Sequence, residues 1–171
     1  MTEAAPRTEA PGDGRERTSD GRHIVVDGRR WRATDPSIPD PLRKELVAEL
    51  MAARRAVRSD PESARPRVQD AKVALGERGD PWWDEPSDAA RRTRLAATVR
   101  TLARHRAPDG TTCPSDAARA VGGESWRDLM DLTRDVATGL ARAGEVEITQ
   151  GGEVIDPDEG WTGPIRLRAR S

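Results

Sequence analysis

The spacing of apolar residues predicts two successive helices within residues 112–143. The first is short, carries small apolar residues, and ends at Gly122-Gly123, because glycine enters left-handed backbone at little cost. The second has one apolar face built at three- and four-residue steps. That face comprises Trp126, Leu129, Met130, Thr133, Val136, Ala137 and Leu140. We expect Ser115 to cap the first helix and Ser125-x-x-Asp128 to form a capping box on the second.

A β-hairpin is predicted after the second helix, which Gly144 ends. Val146 and Ile148 alternate with polar residues, as in a half-buried strand, and Gly151-Gly152 suits a two-residue turn with positive φ. A last short strand is expected at 165–167. Helix, turn, helix and hairpin in this order predict a winged helix-turn-helix.

The N-terminal half predicts a hairpin and two helices. Asp27-Gly28 is a strong turn signal between strands within 23–33, with Trp31 expected to face inward. Two helices follow, and we expect Pro66 to interrupt the second. Their apolar stripes are Leu42, Leu46, Leu50, Ala53 and Val57 in the first and Val68, Ala71, Ala74 and Leu75 in the second. Asp40 and Ser87 are predicted helix caps, Ser87 for a helix with Leu95, Val99 and Leu102 inside, and Asp60-Pro61 is expected to open the second helix.

Composition limits the size of the core. The chain has 171 residues, of which 35% are hydrophobic and 35% charged, with neither Phe nor Tyr. We therefore expect an α+β protein with three parts. They are a disordered tail at 1–21, a β-hairpin plus αα-hairpin module at 22–84, and a winged-helix-like domain at 87–170.

The C-terminal half resembles a bacterial domain family of unknown function. The resemblance rests on Cys113-Pro114-Ser115, Trp126-Arg127-x-Leu129-Met130 and Gly163-Pro164-Ile165-Arg166-Leu167-Arg168. It implies a winged-helix-like fold and no particular activity. The N-terminal half more loosely resembles uncharacterised proteins of high-GC bacteria, some labelled biopolymer transporter Tol. Nothing in the residues themselves supports transport.

Catalytic, cofactor-binding and metal-ligating patterns are absent from the sequence. The single Cys113 has only His23 and His105 as potential partners, which lack the spacing of a metal site or a nucleophile–base pair. We therefore expect no enzyme activity and no cofactor. The apolar runs are too short to cross a bilayer, residues 1–21 have no signal-peptide pattern, and one cysteine forms no internal disulfide. A cytoplasmic protein without membrane contact is expected.

Charge favours a protein partner over nucleic acid. The net charge is −1, and basic and acidic residues are nearly balanced in both halves, so no basic domain is evident. We expect a regulator or adaptor that acts through an unidentified protein partner, with at least one tryptophan of Trp82-Trp83 covering its own core. The candidate partner surface comprises Trp82, Trp83, Arg91, Arg92 and Arg94. The alternative is a transcription-regulator-like protein that contacts nucleic acid through Arg127, Arg134, Arg100 and Arg104.

Overall fold

A computed structural model describes residues 14–170. The chain forms two compact units, divided between Ala33 and Thr34, and each is considered by itself. Together they contain helices and small antiparallel sheets, so the predicted α+β class is confirmed.

The N-terminal unit is a three-stranded antiparallel sheet in the order β1-β2-β3. Its strands are β1 (Glu16–Arg17), β2 (His23–Val26) and β3 (Arg29–Arg32). Asp27 and Gly28 have φ values of 50° and 73°, which confirms the predicted hairpin turn. Trp31 was expected to point inward, but it is 45% exposed, and the Arg29 guanidinium lies 5.4 Å from its ring centroid.

The predicted disordered tail falls partly outside the described residues. Residues 1–13 are not among them. Residues 16 and 17 differ from the prediction, since they pair with Val25 and Ile24 of β2. Backbone pairing of this kind needs no apolar periodicity, and periodicity was the signal that the prediction used.

The second unit contains five α-helices and a second sheet. The helices are α1 (Asp40–Ala56), α2 (Pro61–Ala74), α3 (Asp88–Arg106), α4 (Pro114–Gly122) and α5 (Met130–Arg142), with a 3-10 helix at Gly123–Leu129. The strands are β4 (Val146–Gln150), β5 (Glu153–Val154) and β6 (Arg166–Ala169). The sheet is antiparallel in the order β5-β4-β6, and Thr112 adds an isolated bridge to Leu167 of β6.

The predicted Ser87 cap is confirmed, and a second cap forms at Asp60, where the start of α2 was predicted. The Ser87 hydroxyl accepts a hydrogen bond from the Ala90 N–H at 3.1 Å, and the Asp60 carboxylate accepts one from the Ser63 N–H at 3.3 Å. Asp40 instead lies in the first turn of α1, after the N-cap Pro39.

Two predictions about helix α4 and helix α2 are wrong. Helix α4 begins after Cys113 rather than at Ser115, because Asp116 reaches back to accept from the Cys113 N–H at 3.2 Å. Helix α2 continues through Pro66. The carbonyl that loses its partner there belongs to the exposed Glu62, where solvent can replace the lost hydrogen bond.

The long helix begins later than predicted. Residues 123–129 form a 3-10 helix, and the Ser125 capping box is not formed. The Leu129 side chain packs so close to Gly122 that a β-carbon there would lie 2.8 Å from Leu129 Cδ1. This tight turn brings the 3-10 segment back onto the end of α4, so α5 starts only at Met130.

Helix α3 contributes to both hydrophobic cores of this unit. The first core contains Ile38, Leu42, Leu46, Leu50, Ala71, Ala74, Leu75, Leu102 and Ala120. The second contains Leu95, Val99, Ala117, Val136, Ala137, Leu140, Val146, Ile148, Ile165 and Leu167. The αα-hairpin therefore shares a core with α3, whereas the β-hairpin belongs to the other unit. The division into modules at 22–84 and 87–170 stays a prediction.

Candidate functional site

The arginines in the C-terminal half of α3 are held by acidic residues of other elements. Arg100 forms a bidentate pair with Glu145 and lies 3.6 Å from the Asp70 carboxylate. Arg104 donates to Asp70 at 2.6 Å. Hydrogen bonds from Arg100 lower the pKa of Glu145 below its ordinary value. Arg100 and Arg104, the predicted nucleic-acid contacts on this helix, are therefore already paired with carboxylates.

The arginines at the start of α3 are paired as well. Arg91 donates to Glu85 at 2.7 Å and to Asp88 at 3.3 Å, and Arg92 donates to Asp135 at 2.5 Å.

Arg94 has a structural position. Its side chain is 16% exposed and binds Asp35, which is 5% exposed, at 2.8 Å. It also donates to the Ala74 carbonyl, so it joins α3 to the end of α2. Of the predicted partner-surface arginines, only Arg92 has a mainly exposed side chain, at 51%.

The two arginines predicted to contact nucleic acid around α5 have different surroundings. Arg127 stacks on Trp126 at 4.6 Å from the ring centroid, and Arg119 stacks on the same ring at 4.5 Å. Arg134 is exposed and forms no ion pair within residues 14–170. The neighbouring Asp128 and Asp131 are exposed too and are not paired with any described residue, so the surface around Arg134 is acidic rather than basic.

Trp82 and Trp83 are half-buried and contact each other edge to face, with ring centroids 5.2 Å apart. Trp82 lies against the tight turn at Gly76, where a β-carbon would come within 3.1 Å of Trp82 Cδ1. Trp82 therefore packs on its own chain, as predicted for at least one member of the pair.

A cleft of about 1640 Å³ opens beside these tryptophans. Most of its lining comes from two segments, which we call its walls. The first is 78–88, which leads into α3, and the second is 119–132, which spans the end of α4, the 3-10 helix and the start of α5. The first turns of α3 and residues Asp35, Ser37, Pro39 and Val73 line the cleft as well. Trp82 and Trp126 both line it, as do Arg91 and Arg94. The structure thus brings three residues of the predicted partner surface, Trp82, Arg91 and Arg94, to one concave site.

Acidic side chains dominate the lining of the cleft. Four arginines line it, namely Arg78, Arg91, Arg94 and Arg119. The lining carboxylates are Asp35, Asp80, Asp84, Glu85, Asp88, Glu124, Asp128 and Asp131. Asp35, Glu85 and Asp88 are paired with Arg94 or Arg91. The other five form no side-chain hydrogen bond or ion pair with any residue in 14–170, which leaves the cleft with an excess of uncompensated negative charge.

A small basic patch lies elsewhere, at the end of α1. Arg54, Arg55 and Arg58 surround a shallow groove with Met51, and all four residues are exposed. None of these arginines has an acidic partner within the described part of the chain. Arg54 and Arg55 lie in the last turn of α1, where positive charge also interacts favourably with the helix dipole. The clustering of the three arginines at steps of one and three residues on one helix was the signal that could have identified them.

Cys113 is half-buried and accepts a hydrogen bond from the Ser115 hydroxyl at 3.1 Å. No group of three or more His, Cys, Asp or Glu side chains within residues 14–170 is arranged to hold a metal ion. No helix in the same residues is both long enough and apolar enough to cross a bilayer.

The C-terminal part of the chain, from within α3 onward, matches the model of a known family. Residues 92–170 match the model of a family described as "Protein of unknown function (DUF3253)". The DUF3253 match contains α4, α5, the second sheet and most of α3. It includes Arg100, Arg104, Arg127 and Arg134, but not Trp82 or Trp83. The predicted resemblance of the C-terminal half to a family of unknown function is therefore confirmed. No curated protein matches the chain.

Proposed function

We propose that this protein is a non-enzymatic regulator or adaptor that acts through protein contacts of a winged-helix-like domain. The topology of residues 88–169 supports the winged-helix assignment. Thr112 lies between α3 and α4 and pairs with β6, which pairs in turn with β4. Helices α4 and α5, with the 3-10 helix between them, precede β4, and a hairpin connects β4 to β5. Three helices with a strand residue after the first and a closing hairpin are the elements of that fold.

The pairing of the α3 arginines is the observation that carries the proposal. Arg91, Arg92, Arg94, Arg100 and Arg104 all bind carboxylates of the chain itself. A DNA phosphate would have to displace a partner at each of them. The acidic residues at the start of α5, Asp128 and Asp131, would meanwhile repel it. A protein surface requires no such exchange.

Nucleic-acid binding is the second candidate, and the basic patch on α1 favours it. Arg54, Arg55 and Arg58 are exposed and unpaired among the described residues, so they can contact phosphates without losing an ion pair. In this candidate the contacts lie outside the residues that match DUF3253.

Fluorescence anisotropy with mixed-sequence duplex DNA, measured across a salt series, separates the two candidates. We expect wild-type protein to bind weakly even at low salt. We expect the double variant Asp70→Asn/Glu145→Gln to bind more tightly and with a steeper salt dependence, because it releases Arg100 and Arg104. Tight wild-type binding that Arg54→Ala/Arg55→Ala/Arg58→Ala abolishes would make the second candidate correct.

Affinity capture tests the proposed protein contacts directly. Tagged protein is incubated with lysate of the source organism, with and without nuclease treatment, and captured proteins and nucleic acids are identified by mass spectrometry and sequencing. We expect a reproducible partner that survives nuclease treatment. Capture of nucleic acid alone, or of proteins that are lost when nucleic acid is removed, would contradict the proposal.

A further inference from the structure

We propose that the cleft between segments 78–88 and 119–132 binds an arginine- or lysine-rich segment of a partner protein. This inference rests on the proposed function, since it names the kind of partner that such an adaptor would recognise. The site lies partly outside the residues that match DUF3253, because Trp82 and the acidic residues of 80–88 belong to the preceding segment.

Charge complementarity is the first argument. Five lining carboxylates are not paired with any residue in 14–170, and they come from both walls. Asp80 and Asp84 lie on the first wall, and Glu124, Asp128 and Asp131 on the second. A cationic chain lying between the walls would face negative charge on both sides, whereas a phosphate chain would be repelled from both.

The cleft already holds guanidinium groups in two ways, and this is the second argument. Arg119 stacks on the ring of Trp126, with its Cζ 4.5 Å from the centroid. Arg91 bridges Glu85 and Asp88. Aromatic stacking and carboxylate pairing are the two modes by which proteins recognise arginine side chains, and here both occur on the lining of one cleft.

The size of the cleft favours a peptide. Its volume of about 1640 Å³ exceeds the roughly 300–1,000 Å³ typical of small-molecule sites.

The test uses full-length protein and a short fluorescein-labelled peptide of alternating arginine and alanine, with anisotropy measured at low salt. The cleft variant is Asp128→Asn/Asp131→Asn. The matched control is Glu153→Gln/Glu159→Gln, which removes the same charge from two exposed residues outside the cleft. Because exposed ion pairs are individually weak, we expect binding to weaken about fivefold in the cleft variant and less than about twofold in the control.

A second cleft variant, Asp80→Asn/Asp84→Asn, guards against a local folding defect. This variant removes two negative charges from the first wall, at residues that lie outside any helix. We expect it to weaken peptide binding to a similar degree. Circular dichroism and the thermal midpoint establish that each variant is folded.

Several results would overturn the inference. Equal weakening in the cleft variants and the control would show that only net charge matters. Absence of arginine-peptide binding, or equal binding of a glutamate–alanine peptide, would exclude cationic recognition.

Two further results would identify a different occupant or no role for the cleft. If sedimentation shows self-association that Asp128→Asn/Asp131→Asn abolishes, the occupant is a second copy, through a patch such as Arg54, Arg55 and Arg58. A captured partner that still binds the cleft variants would leave the proposed function intact and this inference wrong.

Discussion

Arg106, the last residue of α3, joins three segments of the second unit. Its guanidinium donates two hydrogen bonds to Glu45 of α1, both at 2.8 Å, and one to Asp116 of α4 at 2.8 Å. It also donates to the Thr111 carbonyl at 3.1 Å. Replacing Arg106 with Met keeps an unbranched side chain but leaves two carboxylates without their cation. We expect this variant to be among the least stable single substitutions on the helix surface.

The size of the expected loss in stability follows from the burial of Arg106 and from the number of its carboxylate partners. Removing one member of a fully buried ion pair costs about 3–5 kcal/mol. The side chains of Arg106, Glu45 and Asp116 are 21%, 25% and 20% exposed, so solvent screens part of the loss. We therefore expect the free energy of unfolding at pH 7 to fall by about 2–3 kcal/mol, measured by urea denaturation.

The pH dependence of this loss checks its electrostatic origin. Hydrogen bonds from Arg106 hold the pKa of Glu45 below its ordinary value, against the effect of burial. Burial by itself raises the pKa of Asp116, but Arg106 and the Cys113 N–H outweigh it and the pKa is lowered. Carboxyls with lowered folded-state pKa values contribute stability above their unfolded pKa, about 4, and lose it as the pH falls through the folded pKa.

The difference in the free energy of unfolding between wild type and Arg106→Met should therefore shrink when urea denaturation is repeated at about pH 3, below the unfolded-state pKa of about 4, because protonation of the carboxyls removes the charge that Arg106 compensates. A loss below about 1 kcal/mol at pH 7 would refute the reasoning, because it would fall within the range of an exposed pair. A loss that is the same at both pH values would indicate lost packing instead of lost charge.

Three further substitutions test other parts of the structure. Gly76→Ala should cost about 1–3 kcal/mol in urea denaturation, because φ is +77° and the new β-carbon would lie 3.1 Å from Asp35 Cβ and Trp82 Cδ1; an unchanged midpoint would contradict this. Ser87→Ala should cost about 1 kcal/mol through loss of the α3 cap, visible as a lower thermal midpoint, and Ser87→Thr should retain most of that stability. Arg92→Ala should change the free energy of unfolding by less than about 0.5 kcal/mol, because its ion pair is exposed; a larger loss would mean that the pair carries structural weight.

Features decided by a few neighbouring residues could be predicted from the sequence. The turns at Asp27-Gly28 and Gly151-Gly152 require positive φ at both positions, and both pairs have it. The Ser87 cap depends only on the next three residues. Local backbone conformation determines these turns and this cap, so the residue types at a few neighbouring positions are sufficient to predict them.

The start of α5 could not be predicted in this way. Ser125-x-x-Asp128 has the composition of a capping box, yet Ser125 lies inside a 3-10 turn with φ −91° and ψ 17°. What decides the local geometry there is the contact of Leu129 with Gly122, which is a packing effect between successive helices. In this case packing outweighs local propensity, and the start of α5 lies several residues later than the capping-box pattern predicts.

The candidate site was unpredictable for a related reason. The arginines of α3 are regularly spaced in the sequence, but their partners lie far away along the chain: Glu145 for Arg100, Asp135 for Arg92 and Asp35 for Arg94. The spacing of the arginines predicts the positive charge of helix α3, but it does not predict the carboxylates that compensate this charge. The charges that are available for binding are those that remain unpaired, and they can be identified only when the ion pairs are known.

The small size of the core side chains explains why so many arginines are used internally. Alanine supplies much of the buried helix surface of the second unit, including Ala53, Ala64, Ala71, Ala74, Ala97, Ala103, Ala117, Ala118, Ala120 and Ala137. Each alanine buries little apolar area, so the helices gain less from the hydrophobic effect than leucine-rich helices would. Arginine bridges between helices, such as Arg106 to Glu45 and Arg67 to Glu49, hold together elements that the core holds weakly. The arginines of α3 that take part in such pairs can bind phosphate only by giving up a carboxylate, which agrees with the proposal of a cationic protein partner at the acidic cleft.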